Sequence, residues 1–177
     1  MLRDMHFSQF TPEFLGQLPR GAFLSVQNAG EVNTMTIGWG FIGYIWQRPA
    51  LLVAVRPSRY TYNLLETARE FTISVPAAGE FRKSLALAGS RSGRDVDKFS
   101  ELKLVAQPGK MLSSPVIAGC QLHYECRVLY RQALNQDELP PDLTEKFYPQ
   151  GDFHVLYFGE ILASYYDESA ADESTSF

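Results

Sequence analysis

Most apolar positions in this chain fall in short runs or alternate, the pattern of strands rather than helices. Residues 21–46, "GAFLSVQNAGEVNTMTIGWGFIGYIW", hold two β-like runs split at "NAGEVN", whose Asn and Gly content reads as a turn. Residues 50–55, "ALLVAV", are apolar throughout, which predicts a strand buried on both faces. "EFTISVP" predicts a further strand closed by Pro76. In "GCQLHYECRVLYRQAL" the alternation puts Leu122, Tyr124, Cys126 and Val128 on one face of a long strand. "FHVLYFGEILASYY" is the last strand.

Helical signals are fewer. Phe14, Leu15 and Leu18 between Pro12 and Pro19 predict a short N-terminal helix. "SRYTYNLLETARE" predicts a second, with Ser58 as N-cap and Leu64, Leu65 and Ala68 facing inward. "AGEFRKSLALAG" predicts a third, ending at Gly89. About six strands, kinked by Gly38, Gly40 and Gly43, with two main helices, predict a mainly β protein built as a small closed barrel with helices packed outside. An alternating parallel sheet fits less well, because no helix separates the first three strands.

Length adds that a single domain over residues 1–166 is expected, followed by an acidic tail at 167–177, "DESAADESTSF", too poor in aliphatics to pack and expected to be disordered. The 13% aromatic content suits a β-rich core and also a pocket for a flat ligand. A net charge of −4 argues against an overall electrostatic grip on nucleic acid. No apolar stretch reaches the ~18 residues of a membrane span, and no leader is apparent. Cys120 and Cys126 lie on one predicted strand face, roughly 20 Å apart at ~3.3 Å per residue, too far to bridge. No Cys/His cluster offers a metal site, and a cytoplasmic protein with reduced thiols is expected.

The densest candidate chemistry is "RPSRYT", residues 56–61, where a buried strand gives way to a helix. Unpaired N–H groups at a helix start attract anions, Ser58 and Thr61 add hydroxyls, and Arg56 and Arg59 add fork-shaped donors that match phosphate oxygens. A capped surface helix with two solvated arginines is the plain alternative. "GSRSGRDVDKF", residues 89–99, reads as an ordered loop whose amides and Arg94 or Lys98 meet a second part of an anionic ligand, or else as a solvated loop. In "NTMTIGWG", Asn33 and Thr34 with Trp39 offer groups to the edge of a planar heterocycle; an ordinary edge strand explains them equally. His154 at the start of the last strand is a proton donor, a positioning group or a structural histidine. No dinucleotide fingerprint, phosphate-binding loop motif or nucleophile elbow is present.

Taken in order, "NTMTIGWGFIGYIWQRPALLVAVRPSRYTYNLLE", "SGRDVDKF" and "GDFHVLYFGEI" resemble the flavin reductase-like family of FMN-binding split-barrel proteins, with flavoredoxin similar in pattern. The resemblance covers about residues 10–165. It implies a six-stranded split β-barrel with flanking helices, assembled as a homodimer with FMN near the subunit interface. It implies that Arg56, Ser58, Arg59 and Thr61 surround the FMN phosphate with Tyr60 alongside. Asn33, Thr34, Met35, Thr36 and Trp39 would line the flavin ring. Ser92, Gly93, Arg94, Lys98 and Phe99 would form a second wall, and His154 would approach the reacting side. The implied activity is electron transfer from NADH or NADPH through FMN to free flavin or a partner acceptor. The alternative is an electron carrier without pyridine-nucleotide activity of its own.

Overall fold

In a computed structural model, residues 1–169 are described. The expected tail therefore lies outside the described residues from Ala170 onward, and its first residue, Asp167, is the last of a strand. Ten strands form: β1 (Leu2–Asp4), β2 (Ala22–Asn28), β3 (Glu31–Ile37), β4 (Gly40–Ile45), β5 (Arg48–Val55), β6 (Glu70–Val75), β7 (Ala106–Gln107), β8 (Val116–Ile117), β9 (Leu122–Ala133) and β10 (Val155–Asp167). The α-helices are α1 (Thr11–Gln17), α2 (Tyr60–Ala68), α3 (Arg82–Ser90), α4 (Lys98–Glu101) and α5 (Pro141–Phe147).

Eight strands make one sheet in the order β3-β2-β6-β9-β10-β5-β4, with β1 on the far end of β10; the named pairings are all antiparallel. The two end strands, β3 and β4, are consecutive in the chain, joined only by Gly38 and Trp39. A sheet whose ends are tied by two residues must curl until those ends meet. Close approach of backbones follows. A Cβ at Gly40 would lie 2.6 Å from the Leu52 carbonyl oxygen, whereas Gly43 faces open space, so only part of the glycine pattern marks crowding. Curling also needs β10 to bend. It does so at register shifts at Phe158/Gly159 and Ile161/Ala163, the first placed where Gly159 lets Phe71 and Cys126 press against the backbone.

The barrel interior is filled by Leu24, Val26, Leu51, Val53, Phe71, Ile73, Leu122, Tyr124, Cys126 and Tyr157, with Phe14 of α1 and Leu64 and Leu65 of α2 closing it. Leu122, Tyr124, Cys126 and Val128 share the inner face of β9 as their alternation predicts. The outer face of β9 is buried too at His123 and Glu125, before it opens at Arg127, and Glu125 explains why. Its carboxylate accepts from the backbone N–H groups of Lys110 (2.5 Å), Met111 (2.9 Å) and Leu112 (2.7 Å) and from the Tyr165 hydroxyl (2.9 Å), pinning the 103–118 loop over the sheet. A second apolar cluster, Phe23, Leu85, Ala88, Leu104, Ile117 and Cys120, lies under α3.

Several expectations change. The strand count rises because β1, β7 and β8 are two or three residues long and β4 separates from β3 with no polar break. Cys120 precedes β9 and packs under α3, whereas Cys126 faces the barrel; both thiols are free. Helix α3 starts at Arg82 and runs through Gly89 to Ser90, where the Ser90 hydroxyl bonds back to the Ala86 carbonyl. Ser58 is not the cap of α2: Arg59 holds the cap position, with no side-chain capping bond, because Ser58 is engaged elsewhere.

Gly159→Ala would put a methyl 2.7 Å from Phe71 Cζ and 2.8 Å from Cys126 Cβ, so urea unfolding should show a loss of about 1–3 kcal/mol from overpacking. An unchanged midpoint would mean that β10 relaxes freely at this bulge.

Candidate functional site

The site forms at the mouth of β5, where the strand leaves the barrel at Val55 and the chain turns into α2. Arg56 uses both of its terminal nitrogens on the turn that precedes β10. Nη1 donates to the Asp152 carbonyl (2.9 Å), Nη2 donates to the Phe147 carbonyl (2.8 Å), and the guanidinium lies 4.9 Å from the centre of the Tyr148 ring. Ser58 strengthens the same attachment: its backbone N–H and its hydroxyl both donate to the Asp152 carboxylate, at 3.1 and 2.6 Å. Asp152 reaches this position from a left-handed backbone (φ 58°), which its short polar side chain tolerates. An anion thus sits beside the start of α2, and it is the protein's own.

Arg59 and Arg94 are placed differently. Arg59 donates to the Gly89 carbonyl at the end of α3 (2.9 Å), and Arg94 donates to the Ser58 carbonyl (3.2 Å) while lying over the Tyr60 ring at 5.3 Å. Lys98, only 4% exposed, donates to the carbonyls of Thr34 (2.9 Å) and Ala88 (2.8 Å), so it cross-links β3 to α3. The cations feel one another: burial, then the charge of Arg59, pushes Lys98 down to about 8. Burial, then Arg56, with Asp152 opposing and Arg59 assisting, pushes His154 down to about 4.

Two clefts flank these groups. One, of about 190 Å³, is lined by Met35, Thr36, Trp39, Arg56, Arg59 and His154 together with backbone of β3 and β5. Trp39 forms its rim, 43% exposed, with His154 4.8 Å and Phe147 5.1 Å away between ring centres. The other, of about 270 Å³ and lined mainly by polar groups, gathers Asn33, Tyr60 and Gly93 with the cations Arg94 and Lys98 and the carboxylates Glu31, Asp95 and Asp97. Here Tyr60 donates to the Glu31 carboxylate. Gly93 must lack a side chain, because a Cβ would lie 2.4 Å from Asn33 Oδ1 and 2.6 Å from the Tyr60 ring.

The remaining expected residues line neither cleft. Thr34 is buried, and its hydroxyl donates to the Leu24 carbonyl (3.2 Å). Thr61 is buried and accepts from the Asn33 side-chain amide (2.7 Å). Ser92 accepts from the Arg94 N–H (3.2 Å), and Phe99 packs on the cluster under α3. Thr36, which does line the smaller cleft, donates to the Leu85 carbonyl (2.6 Å), fixing α3 on β3. Glu31, Phe147, Tyr148 and Asp152 belong to the site's framework and were absent from the expected set. A Gly-Asp pair after "KFYPQ", two residues before His154, was the available signal for the last three.

A rolled antiparallel barrel with Arg56, Arg59 and Arg94 gathered beside a helix start could hold an anionic ligand with a flat portion. The residues suit such a group: converging cations for its charge, a wall from Met35 to Trp39 for its plane, and close backbone at Gly93. A family model described as flavin reductase like domain matches residues 15–175, and the chain belongs to that family. An uncharacterized protein of Archaeoglobus fulgidus is 32% identical over 144 residues, which are 81% of this chain and 71% of that protein. Flavoredoxin from Methanosarcina acetivorans superposes with a TM-score of 0.66 at 27% identity, over 84% of this chain and 68% of that one. The FMN-binding protein from Thermus thermophilus does so with a TM-score of 0.67 at 26% identity, over 84% and 72%. The fold is the split β-barrel of flavin reductase-like proteins, with more strands than the six expected.

Because the folded imidazole of His154 holds its proton less tightly than the free value of 6.5, NMR titration should show it neutral until the pH falls to about 4. The unfolded chain then binds the extra proton between pH 6.5 and 4, so stability declines as pH drops through that window. A midpoint at or above 6.5 would mean that neither burial nor the guanidiniums act on this ring.

Proposed function

We propose that the protein is an FMN-dependent oxidoreductase that passes electrons from NADH or NADPH to free flavin or to a partner electron carrier. The observation that carries this reading is the placement of Arg56, Arg59 and His154 around the smaller cleft and of Arg94 and Lys98 around the larger, with the charge of Arg59 adding to burial in lowering both Lys98 and His154. FMN supplies the hydride and electron chemistry when bound. The chain's part is to hold and orient it. Arg59 and Arg94 are the cations we assign to the phosphate, with buried Thr61 supporting them through its bond to Asn33. Arg56 and Ser58 serve that pocket indirectly, because their donors are committed to the 147–154 turn. Met35, Thr36 and Trp39 face the ring, and His154 lies across from them. Asn33, Thr34, Ser92, Gly93, Lys98 and Phe99 support the second wall, most of them by fixing the loop rather than by touching the ligand.

A carrier without its own pyridine-nucleotide activity is the second reading, favoured by the likeness to flavoredoxin at 27% identity. Rapid mixing with NADH and with NADPH separates the two: bleaching of bound flavin supports the reductase, and flavin that stays oxidised with both supports the carrier. A cytoplasmic setting belongs to the same proposal. No helix among the described residues is long and apolar enough to cross a membrane.

A homodimer is part of the proposal, supported by the edge strand β4. Phe41 (71%) and Tyr44 (67%) are exposed on it, and Trp46 (54%) stands at its hairpin tip against Tyr130 and Phe158. Trp46 and Gln47 both take left-handed backbone, φ 51° and 58°, where Asn-Gly is the common choice. That conformation costs of order 1 kcal/mol per residue and holds a tryptophan in water unless another surface covers it.

Arg59→Ala should weaken FMN binding by about 1–3 kcal/mol, the worth of a charged hydrogen-bond partner, read by quenching of flavin fluorescence. Unchanged affinity would remove Arg59 from the phosphate site. Sedimentation should report a dimer for the native chain, and Trp46→Glu should shift it toward monomer; a native monomer would refute the assembly.

A further inference from the structure

The 147–154 turn carries a contact that the ligand set does not explain. Tyr148 is 6% exposed, and its hydroxyl lies 2.8 Å from Nδ1 of His154. The hydroxyl of this buried residue has no other acceptor among the described residues, so its hydrogen goes to Nδ1 and Tyr148 is the donor in this pair. An imidazole that accepts at Nδ1 carries its own proton on Nε2. Among the described residues Nε2 has no hydrogen-bond partner, and the ring lines the 190 Å³ cleft.

We propose that Tyr148 is a positioning residue that holds His154 in its neutral Nε2–H form, making that N–H the cleft's donor to an uncharged carbonyl oxygen of a planar ligand. The inference rests on the proposed function and deepens it by assigning the chemistry of the atom that His154 meets. The groups facing the ring are Arg56 from the end of β5, Arg59 from the start of α2, Tyr148 and Asp152 from its own turn, and uncharged Trp39 from the β3–β4 connection. Two cations therefore oppose one carboxylate, and that carboxylate is already occupied by Ser58. A positive charge on the ring is disfavoured, and a neutral imidazole lacks the Coulomb attraction that draws a phosphate to the guanidiniums. The phosphate is left to Arg59 and Arg94, and the carbonyl is left to His154. Flavin and nicotinamide both present such an oxygen, one on the ring and one on the carboxamide.

Nitrogen-15 NMR of histidine-labelled protein at pH 7 tests this directly, with His6→Gln and His123→Gln used to assign the signals. The native chain should show a single His154 tautomer with a pyrrole-type Nε2 and an acceptor-type Nδ1. A mixture of tautomers, or the Nδ1–H form, would overturn the proposal. Tyr148→Phe keeps the ring and removes only the hydroxyl, so the Nδ1 signal should move toward that of an imidazole without a donor; an unmoved signal would also overturn it. Addition of FMN, then of oxidised NAD, identifies the source of the carbonyl: a shift of Nε2 with FMN points to the flavin, and one that waits for NAD points to the carboxamide. Flavin that binds while Nε2 stays unmoved by both ligands would refute the donor role alone. Failure of FMN to bind would refute the proposed function, with the tautomer of the ligand-free protein still readable. Tyr148→Phe should weaken by about fivefold, the worth of one neutral hydrogen bond, the binding of whichever ligand moves Nε2; unchanged affinity for that ligand would overturn the positioning role.

Discussion

The guanidinium of Arg56 is the fastening on which the site depends. It spans the mouth of the barrel from the end of β5 to the turn before β10, using two donors on the Phe147 and Asp152 carbonyls. β5 and β10 already pair from Ala50–Glu160 to Val55–Val155, and Arg56 continues that pairing one residue beyond the last rung with a side chain in place of backbone. Everything the turn carries inherits this register. Phe147 reaches Trp39, Tyr148 lies beneath the guanidinium and against the imidazole, and Asp152 takes the Ser58 hydroxyl. Without the arginine, two carbonyls at a crowded, partly buried corner lose their donors, and a group of aromatic rings loses its common support. A charged fork serves here because no apolar residue can satisfy two acceptors from different parts of one turn.

On the other side of the site, Lys98 has the corresponding duty. It is the one buried lysine among the described residues, and its ammonium joins the Thr34 carbonyl of β3 to the Ala88 carbonyl of α3. Arg59 reaches the next carbonyl along, that of Gly89. Two cations thus gather at the C-terminal end of α3, where the helix dipole is negative, and this offsets part of their mutual repulsion. The arrangement explains how several positive groups stay close together before any anionic ligand arrives. The acidic 103–118 attachment at Glu125 is independent of this. It is satisfied by three amides and a phenol, lies on the far side of β9, and contributes to the fold without facing the clefts.

Residues whose role follows from local pattern were legible in the sequence. The inner face of β9 and the turn between β2 and β3 follow from periodicity and turn chemistry, because burial on a sheet has a period of two; β5, expected to be buried on both faces, buries Leu51, Val53 and Val55 but leaves Leu52 and Ala54 partly exposed. The concentration of cations at "RPSRYT" and "SGRDVDKF" was also legible, and the two segments do meet, Arg94 reaching the Ser58 carbonyl. Individual duties were not. Arg56 and Arg59 are three residues apart and chemically identical, and only the fold decides that one grips the 147–154 turn while the other faces α3. Ser58 looks like a helix cap in isolation. Its partner Asp152 lies 94 positions away, a distance that no local rule spans. Helices α4 and α5 did leave signals, Asp97 accepting from the Phe99 and Ser100 N–H groups and Pro141 at a first helical position, but α4 buries only Lys98 and α5 buries no residue, so neither has an apolar face to show.

The position of Asp152 bears on why the turn is built around a carboxylate at all. The N–H and hydroxyl of Ser58 precede α2, where orphan donors favour negative charge. Had that position been left open, a phosphate bound there would compete with the carbonyl interactions that hold the turn. With Asp152 fixed by Ser58, the carboxylate neutralises part of the Arg56 charge, whereas Arg59 and Arg94, held by carbonyls, make no salt bridge among the described residues. The same carboxylate is the one group that raises the proton affinity of His154, against burial and two guanidiniums that lower it. Its effect is outweighed, so the imidazole stays neutral in the fold. A single acidic side chain thereby separates the charged part of the cleft from the uncharged part. That division is what a ligand with a phosphate at one end and a planar ring at the other requires.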